Sequence, residues 1–280
     1  MMISIIVCST KSAEDCSYVK NIEDTIGNVD YELIWIDNSE STYSIFEAYN
    51  KGVQLSKGDY LCFAHEDIFY RSNSWGEIVV DAFARDFNVG MLGLVGGHVL
   101  TRISTCWWST DRLRGVLWQG TVENGTYKSH LARWTKQDDT DKYAVSVDGV
   151  WMVIRKSLFS RIKFDSDTYS GFHFYDMDIS MQVNCSGYKI LIIDGVEVEH
   201  KSAGRVNASF YRNCIAFHKK WDKMLPIYSS LPSANDQRLF DISRVKQLLY
   251  HRVYFPLCAY FFRPTRRLVY FAASLLSHFK

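Results

Sequence analysis

The sequence lacks the cysteine spacing of a disulfide framework or of a thiolate zinc site. Its seven cysteines are odd in number and scattered, and no two of them have the C-x-x-C spacing. This absence favours a reducing compartment, and we expect a cytoplasmic protein. The sequence also has no run of about 18 uncharged apolar residues. No transmembrane span is therefore predicted.

Strong charge of either sign is absent as well. The formal net charge of the 280 residues is +1, which provides no global attraction to nucleic acid, and we expect no nucleic-acid partner. The hydrophobic fraction of 47% is enough for a substantial core. These values predict one large α/β domain, with or without a small appendage.

Short apolar runs alternate with amphipathic segments along the chain, which is typical of strands and helices in a layered fold. The predicted strands are residues 3–8, 31–36, 60–64, 91–95 and 189–193, and the predicted helices include 44–56 and 74–87. The second helix begins with the capping-box pattern of Ser74 and Glu77. This order predicts a Rossmann-like fold with a mainly parallel sheet and helices on both faces. Ligands bind such sheets at the carboxyl ends of the strands.

Two segments differ in character from the rest. Residues 101–145 are rich in tryptophan and show no clean period, which predicts an irregular insertion or long loop. Its tryptophans could stack on sugar rings, but core packing is the favoured interpretation. Residues 241–280 carry seven basic residues against one acidic residue, a net charge of +6. We expect a catalytic domain over 1–225 and a helical extension over 226–280. The nucleotide-binding half is about 1–100, and the acceptor half is about 101–225.

Two acidic segments follow predicted strands. His65-Glu66-Asp67 ends the strand at 60–64, where a divalent cation would relieve the repulsion between adjacent carboxylates. Acids that complement the dipole of a helix N-terminus explain this triplet equally well. Asp37-Asn38-Ser39 follows the strand at 31–36 and is also an ordinary turn sequence.

Two further candidates come later in the chain. Asp176 and Asp178 lie near the start of a predicted helix and on different faces of it, so only one of them can point into a given pocket. An acid at the first turn is either a general base or, more commonly, an N-cap. His200 ends an alternating segment and is either structural or part of a metal site. All four candidates fall at element ends, where one cleft could gather them.

The ordered set of these segments resembles the family 2 type of GT-A glycosyltransferase, with the later segments closest to bacterial members. The resemblance covers about residues 3–225 and rests on the segments ISIIVCST, LIWIDNSES, GDYLCFAHED, VDGVWMVIRKSLF, FHFYDMDIS, EVEHKSAG and KKWDKMLP. It implies a nucleotide-sugar glycosyltransferase with a GT-A fold. The implied nucleotide pocket consists of Cys8, Ser9, Thr10, Asp37 and Asn38.

The resemblance also implies a metal site that holds Mn²⁺ or Mg²⁺. The family has an acid where this chain has His65, so Asp67 becomes the expected ligand, with His200 as a second one. Glu66 is expected on the ribose or behind the metal ligands. His65 is expected on the nucleotide-sugar side, where it either tunes the site or weakens it.

The remaining implied residues serve catalysis and the acceptor. Asp176 matches the catalytic base of inverting members, and Tyr175 stands where the family has an acid. Asp148, Gly149 and Trp151 resemble the segment that lines the sugar and acceptor side. The implied donor is a nucleoside-diphosphate sugar, with UDP favoured, and the acceptor is a saccharide or a lipid-linked saccharide.

The sequence leaves two alternatives to an active glycosyltransferase. A degenerate binding or scaffold subunit would explain His65, and a sugar-phosphate nucleotidylyltransferase shares the fold class. The second class needs a glycine-rich loop after the first strand, whereas this chain has Ser9-Thr10-Lys11-Ser12 there. The basic aromatic segment 241–280 predicts peripheral contact with the inner face of the cell membrane, or packing on the catalytic domain or on a second subunit. The oligomeric state stays open.

Overall fold

A computed structural model describes residues 1–13, 17–102, 106–123, 125–135, 140–202, 204 and 206–231. The strands in these ranges are β1 (Met2–Ser9), β2 (Asp30–Asp37), β3 (Tyr60–Ala64), β4 (Ile68–Tyr70), β5 (Val89–Gly93), β6 (Val95–Gly97), β7 (Val99–Leu100), β8 (Leu113–Glu123), β9 (Thr126–Arg133), β10 (Tyr143–Ala144), β11 (Ser146–Val147), β12 (Trp151–Arg155), β13 (Lys189–Ile192), β14 (Val198–His200) and β15 (Ile227–Tyr228). The helices are α1 (Ser17–Thr25), α2 (Ile45–Leu55), α3 (Trp75–Arg85), α4 (Tyr175–Cys185) and α5 (Ala208–Trp221), with a 3-10 helix at Lys156–Ser160.

A seven-stranded central sheet has the order β10-β13-β5-β12-β3-β1-β2. β1 pairs in parallel with both β2 and β3, whereas β12 runs antiparallel between β3 and β5. Within the described residues, β10 and β12 are the two strands of this sheet that run against the other five. This mixed but mainly parallel arrangement confirms the predicted α/β class.

The strands β1, β2 and β3 bring their carboxyl ends to one edge of the central sheet. Their register places Ser9 beside Asp37 and Val7 beside Ala64. β3 is buried along its whole length, as its unbroken apolar sequence predicts, and α2 packs on β1 and β2. Polar residues that follow β1 and β3 therefore meet at the surface above a rigid core.

A second sheet has the order β11-β6-β8-β14-β4, with β9 paired to β8. β8 and β9 form an antiparallel hairpin in which Val116 faces Arg133 and Glu123 faces Thr126. The prediction of an irregular segment over 101–145 is therefore wrong for the hairpin. The pairing that orders β8 comes from β6, β9 and β14, and this pairing is not visible as a local period.

Two helices, α2 and α3, begin with the same S-x-x-E pattern but are capped differently. Ser44 caps α2, because its side chain accepts from the Glu47 N–H while the Glu47 side chain accepts from the Ser44 N–H. The capping box predicted at Ser74 and Glu77 is wrong. Ser74 is left-handed with φ 55° and makes no side-chain cap bond, while Glu77 accepts from the Asn28 N–H at 2.8 Å. The neighbouring turn thus provides Glu77 with another donor.

The C-terminal part of the described chain does not begin as a helix. Ile227 and Tyr228 form β15, which pairs antiparallel with β7, so the predicted helical extension is wrong at these residues. Residues 232–280 lie outside the described residues, and with them the predicted membrane contact at 241–280. Across the part of the chain that the structure describes, none of the helices has the length and apolar character needed to span a membrane.

Candidate active site

A cavity of about 1120 Å³ opens at the carboxyl edge of the central sheet. The ends of β1, β3 and β14 and the first turn of α4 contribute to its walls. Twelve of the residues singled out from the sequence line it: Cys8, Ser9, Thr10, Asn38, His65, Glu66, Asp67, Asp148, Gly149, Tyr175, Asp176 and His200. Asp37, Trp151 and Asp178 are also singled out and do not line it. The fold thus gathers most of these residues, whose individual roles stay predictions.

Glu66 connects the end of β3 to the loop after β1. Its carboxylate accepts from the Ser9 hydroxyl, from the Thr10 N–H at 2.9 Å and from the Thr10 hydroxyl at 3.3 Å. These bonds follow from the parallel pairing of β1 with β3, which brings both strand ends to one edge. Glu66 therefore holds the loop after β1 in place, whereas the neighbouring Asp67 lies beside His200.

The side chains of His65, Asp67 and His200 form a cluster that could hold a metal ion. One ligand atom from each residue can be chosen so that all three atoms lie within 4.8 Å of one another. His200 Nε2 lies 3.4 Å from Asp67 Oδ1 and 3.4 Å from His65 Nδ1. The antiparallel pairing of β14 with β4 brings His200 opposite Ile68 and thus beside Asp67.

The protonation of this cluster suits metal binding. Burial and the neighbouring His200 lower the pKa of His65 to about 4, so its imidazole is neutral near pH 7. Burial alone would raise the pKa of Asp67, but hydrogen bonds with His200 and Ser202 outweigh burial and hold this pKa well below its usual range. Imidazole nitrogen and carboxylate oxygen are both ligands of divalent metals such as Mn²⁺. The donor set therefore fits a divalent cation.

Asp176 lies in the first turn of α4 with its carboxylate held by backbone groups. Oδ2 accepts from the Gly149 N–H at 3.2 Å, and Oδ1 accepts from the Met177 N–H at 2.8 Å. The helix cap is Phe174, with φ 73°, so Asp176 is not the N-cap that its position also suggested. Burial and the nearby Asp148 raise the pKa of Asp176 to about 7. A carboxyl group of this acidity can accept a proton near neutral pH.

Asp178 points away from the cavity, as the different helical faces of the two acids require. Its carboxylate is buried and accepts from Tyr169 Oη at 2.9 Å, Trp221 Nε1 at 2.8 Å and Gln182 Nε2 at 2.7 Å. Lys220 Nζ lies 2.8 Å from its Oδ1. Asp178 therefore anchors α5 on α4, and only Asp176 serves the cavity.

Asp148, Gly149 and Tyr175 form the wall between the metal-binding cluster and Asp176. Asp148 Oδ1 accepts from the Val150 N–H at 2.9 Å, and burial raises the pKa of this carboxyl group. The Tyr175 hydroxyl donates to the Gly149 carbonyl at 2.9 Å and lies 2.7 Å from His65 Nε2. Gly149 and Tyr175 are buried, and their hydrogen bonds fix Asp176 on one side of this wall and His65 on the other.

The segment after β2 is the turn that its sequence also predicted. Asp37 is exposed and accepts from the Ser39 N–H at 2.9 Å, and its side chain does not line the cavity. Asn38 does line it and exchanges two hydrogen bonds of 2.9 Å with the backbone of Tyr43. A nucleotide contact by Asp37 stays a prediction.

The expectation that Trp151 lines the sugar and acceptor side is wrong. Trp151 is fully buried in β12, opposite Ala64 of β3, and its indole N–H donates to the Tyr70 hydroxyl at 3.0 Å. The Tyr70 ring in turn stacks on Trp75 with ring centroids 4.3 Å apart. The direction of the Trp151 side chain follows from this register, which the sequence motif alone does not reveal.

An aromatic wall lines the cavity beside the site residues that the sequence predicts. Its members are Trp107, Trp108, Trp134, Phe172, His173 and Phe210. Trp108 stacks on Phe210 with ring centroids 5.7 Å apart and is 40% exposed, whereas Trp107 is 8% exposed. The tryptophan-rich composition of 101–145 is the sequence signal for this wall, and it favours core packing. That interpretation holds for Trp107 but not for Trp108.

Comparison of the sequence with known protein families identifies the class of enzyme. The sequence matches the profile of the glycosyltransferase-like family over residues 3–220, and the chain belongs to this family. The predicted class of enzyme, a glycosyltransferase, is confirmed by this match. No curated protein sequence matches the chain.

Solved structures with a similar fold include two glycosyltransferases. GalNAc-T7, solved with UDP, GalNAc and Mn²⁺, shares 11% identity at a TM-score of 0.52 over 79% of this chain and 48% of that one. The chain thus spans about half the length of GalNAc-T7. The mannosyltransferase PcManGT from Pyrobaculum calidifontis, solved with GDP-Man and Mn²⁺, shares 11% identity at a TM-score of 0.47 over 98% of this chain and 86% of that one. At this identity the likeness to GalNAc-T7 shows the fold alone.

Proposed function

We propose that this chain transfers a sugar from a nucleoside-diphosphate sugar to an acceptor hydroxyl, with inversion and with Mn²⁺ or Mg²⁺ bound. One observation carries the proposal. A single cavity holds a buried carboxyl group with a raised pKa, Asp176, and a cluster of metal-binding side chains around Asp67 and His200. Proton removal from the acceptor and charge stabilisation on the donor are the two tasks of such a transfer.

The donor nucleotide is proposed to bind where the loops after β1 and β2 line the cavity. Cys8, Ser9, Thr10 and Asn38 present a thiol, hydroxyl groups and backbone groups there. We favour a UDP-sugar, and the support for uridine is the UDP in the GalNAc-T7 structure.

The chain's own residues would act on the acceptor as follows. The Gly149 and Met177 N–H groups hold the Asp176 carboxylate, which removes the proton from the acceptor hydroxyl. The hydroxyl oxygen then attacks the anomeric carbon on the face opposite the diphosphate, so that the configuration inverts. When bound by Asp67 and His200, a divalent metal supplies the positive charge that stabilises the departing diphosphate.

The acceptor is proposed to be a saccharide or a lipid-linked saccharide of polysaccharide biosynthesis. Trp108 and Phe172 line the cavity and are 40% and 49% exposed, and exposed rings of this kind stack on the apolar faces of sugars. The proposal extends to a cytoplasmic enzyme that works at the inner face of the cell membrane, supported by the basic, aromatic composition of 241–280.

The release of nucleoside diphosphate tests this function. The wild-type chain should release it from at least one nucleotide-sugar when Mn²⁺ is present, in a panel that varies both base and sugar. Asp176→Asn should lower turnover by about 100-fold or more while it retains donor binding, because a general base contributes on the order of 10²–10⁴ to the rate. The matched control is Asp30→Asn, which removes an exposed carboxylate at the start of β2.

Two outcomes would contradict the proposal. Near-normal turnover of Asp176→Asn would remove Asp176 from the role of base. Binding of a nucleotide-sugar without release of diphosphate, across the donor panel and a range of saccharide acceptors, would instead favour a binding subunit with a degenerate site.

A further inference from the structure

A chain of hydrogen bonds fixes the tautomer of His65. The Tyr175 hydroxyl has one proton, and it lies 2.9 Å from the Gly149 carbonyl oxygen and 2.7 Å from His65 Nε2. The carbonyl oxygen can only accept, so the phenol donates to it and accepts from His65. His65 Nε2 therefore carries the imidazole proton, and Nδ1 carries a lone pair that faces His200 Nε2.

The His65 Nδ1 lone pair lies among the other metal-binding atoms. Nδ1 is 3.4 Å from His200 Nε2, which is itself 3.4 Å from Asp67 Oδ1. Two donor atoms bound to one metal at about 2.1 Å are separated by about 3.0–3.4 Å in octahedral or tetrahedral geometry. The two separations of 3.4 Å lie at the upper end of this range, and all three ligand atoms lie within 4.8 Å of one another. The metal-binding cluster is therefore spaced as a set of three ligands rather than two.

We propose that Tyr175 is a positioning residue that holds His65 as a third metal ligand, and that the resulting two-imidazole, one-carboxylate set selects Mn²⁺ over Mg²⁺. This inference rests on the proposed function, which requires a metal at Asp67 and His200. Imidazole suits borderline transition metals, whereas Mg²⁺ prefers oxygen ligands. The histidine in place of the first acid thus changes which metal binds.

Gly149 gives Tyr175 the space that this arrangement requires. A Cβ atom at residue 149 would lie 2.3 Å from the Tyr175 hydroxyl oxygen, so only glycine allows the phenol to approach. The same residue donates its N–H to Asp176 Oδ2 at 3.2 Å. One glycine backbone therefore positions both the phenol that orients the metal ligand and the carboxyl group proposed as base.

Tyr175→Phe is the sharpest variant, because it removes the hydroxyl oxygen and keeps the ring. That ring packs against Phe46, Tyr49 and Phe172, with centroid distances of 6.4, 5.5 and 5.7 Å. We expect its Kd for Mn²⁺ to rise by about 10- to 100-fold, the usual effect of removing a group that orients a metal ligand. The Kd for Mg²⁺ should change less, so that the Mn²⁺ preference falls. His130→Gln, on the exposed face of β9, is the matched control and should leave both constants unchanged.

Binding is measured by titration of free Mn²⁺ with electron paramagnetic resonance, in the absence of nucleotide and with Mg²⁺ as competitor. Pulsed resonance on the wild-type chain counts directly bound imidazole nitrogens and needs no variant. We expect two, and one in His65→Ala. His65→Asp replaces an imidazole with a carboxylate and should shift the preference towards Mg²⁺.

The outcomes separate this inference from the proposed function. If Tyr175→Phe and His65→Ala bind Mn²⁺ as the wild type does, or if the wild type shows one bound nitrogen, the inference is overturned while diphosphate release still supports the transferase. If the wild-type chain binds no divalent cation, the inference and the metal dependence of the proposed function fail together.

Discussion

Asp176 and Asp148 bring two carboxyl groups into the same buried part of the cavity. Burial, with Asp148 as a second cause, raises the pKa of Asp176 from an ordinary 3.8 to about 7. The folded chain therefore holds the Asp176 proton more tightly than the unfolded chain. Stability that depends on this proton is complete below pH 3.8 and is lost as the pH rises towards 7.

Asp176→Asn should therefore stabilise the metal-free protein, and the gain should be larger at pH 8 than at pH 5. The asparagine amide does not ionise, so the variant avoids the loss of unfolding free energy that ionisation of Asp176 causes in the wild type between pH 5 and pH 8. With an unfolded pKa of 3.8 and a folded pKa of about 7, the difference in gain covers about two pKa units, and at about 1.4 kcal/mol per unit we expect it to be about 2–3 kcal/mol. Urea unfolding at both pH values measures it, with Asp30→Asn as control. An equal gain at both pH values would show that burial does not perturb Asp176.

Residue roles could be predicted from sequence only where a short motif also fixes the local backbone. Asp176 and Asp178 were expected on different helix faces, and they are, because helical geometry is local. The sequence motif does not reveal where Trp151 points, because the direction of its indole depends on the register of β12 against β3. The bonds of Glu66 to Ser9 and Thr10 likewise depend on strands far apart in sequence.

At the scale of elements, the same S-x-x-E pattern leads to two different helix starts. Ser44 and Glu47 form a reciprocal capping box on α2, whereas Ser74 adopts φ 55° and leaves Glu77 to bond with Asn28. The pattern is local, but a competing donor from another loop decides its outcome. Sequence alone therefore predicts that both helices exist but not how each one begins.

Ser44→Ala should cost about 1 kcal/mol of unfolding free energy, because it leaves the Glu47 N–H without its cap. Ser74→Ala should cost clearly less, because the Ser74 side chain makes no cap bond on α3. Chemical denaturation of the two variants in parallel provides the measurement. Equal losses would mean that the cap geometry does not control the stability of these helices.

The contact between α4 and α5 depends on a buried ion pair. Asp178 is 1% exposed in its side chain and pairs with Lys220, which is 25% exposed and also bonds Asp165 at 2.7 Å. Lys220 lies in the last turn of α5, so this pair holds the end of that helix against α4. Phe210 of the same helix belongs to the aromatic wall of the cavity. Loss of the cation would leave a buried carboxylate with only neutral donors.

Lys220→Met should destabilise the fold by about 3 kcal/mol, since removal of one partner from a buried pair leaves an uncompensated charge. The matched control is Lys163→Met, which breaks the exposed pair with Asp167, where the side chains are 64% and 79% exposed. That change should cost at most about 0.5 kcal/mol. Urea unfolding measures the loss in each variant. Similar small losses would show that the ion pair between Asp178 and Lys220 contributes little to stability.

At the scale of the whole molecule, the α/β class could be predicted because the central strands are continuous apolar runs. β1 and β3 are buried almost throughout, as their sequences require. The β8–β9 hairpin could not be predicted in the same way, because β8 is only partly buried and its partners include β6 and β14. The local pattern of apolar residues therefore identifies fully buried strands well, but it identifies partly buried hairpins such as β8–β9 poorly.

The C-terminal segment 241–280 supports a prediction about where the whole protein works. Its net charge of +6 and its aromatic residues predict binding to an anionic membrane surface, where each nearby basic residue contributes about 1 kcal/mol. We expect the chain to sediment with phosphatidylserine vesicles at low salt and to detach at about 1 M salt, where the screening length falls to about 3 Å. Zwitterionic vesicles should not retain it.

A charge-matched pair of variants tests whether this segment, rather than overall charge, is responsible. Replacement of Arg263, Arg266 and Arg267 by serine should abolish sedimentation at low salt. Replacement of Lys20, Arg85 and Lys163 by serine removes the same charge from exposed helix and loop pairs and should leave sedimentation unchanged. Equal retention of both variants would assign any membrane binding to another surface, and failure of the wild type to sediment would contradict peripheral attachment altogether.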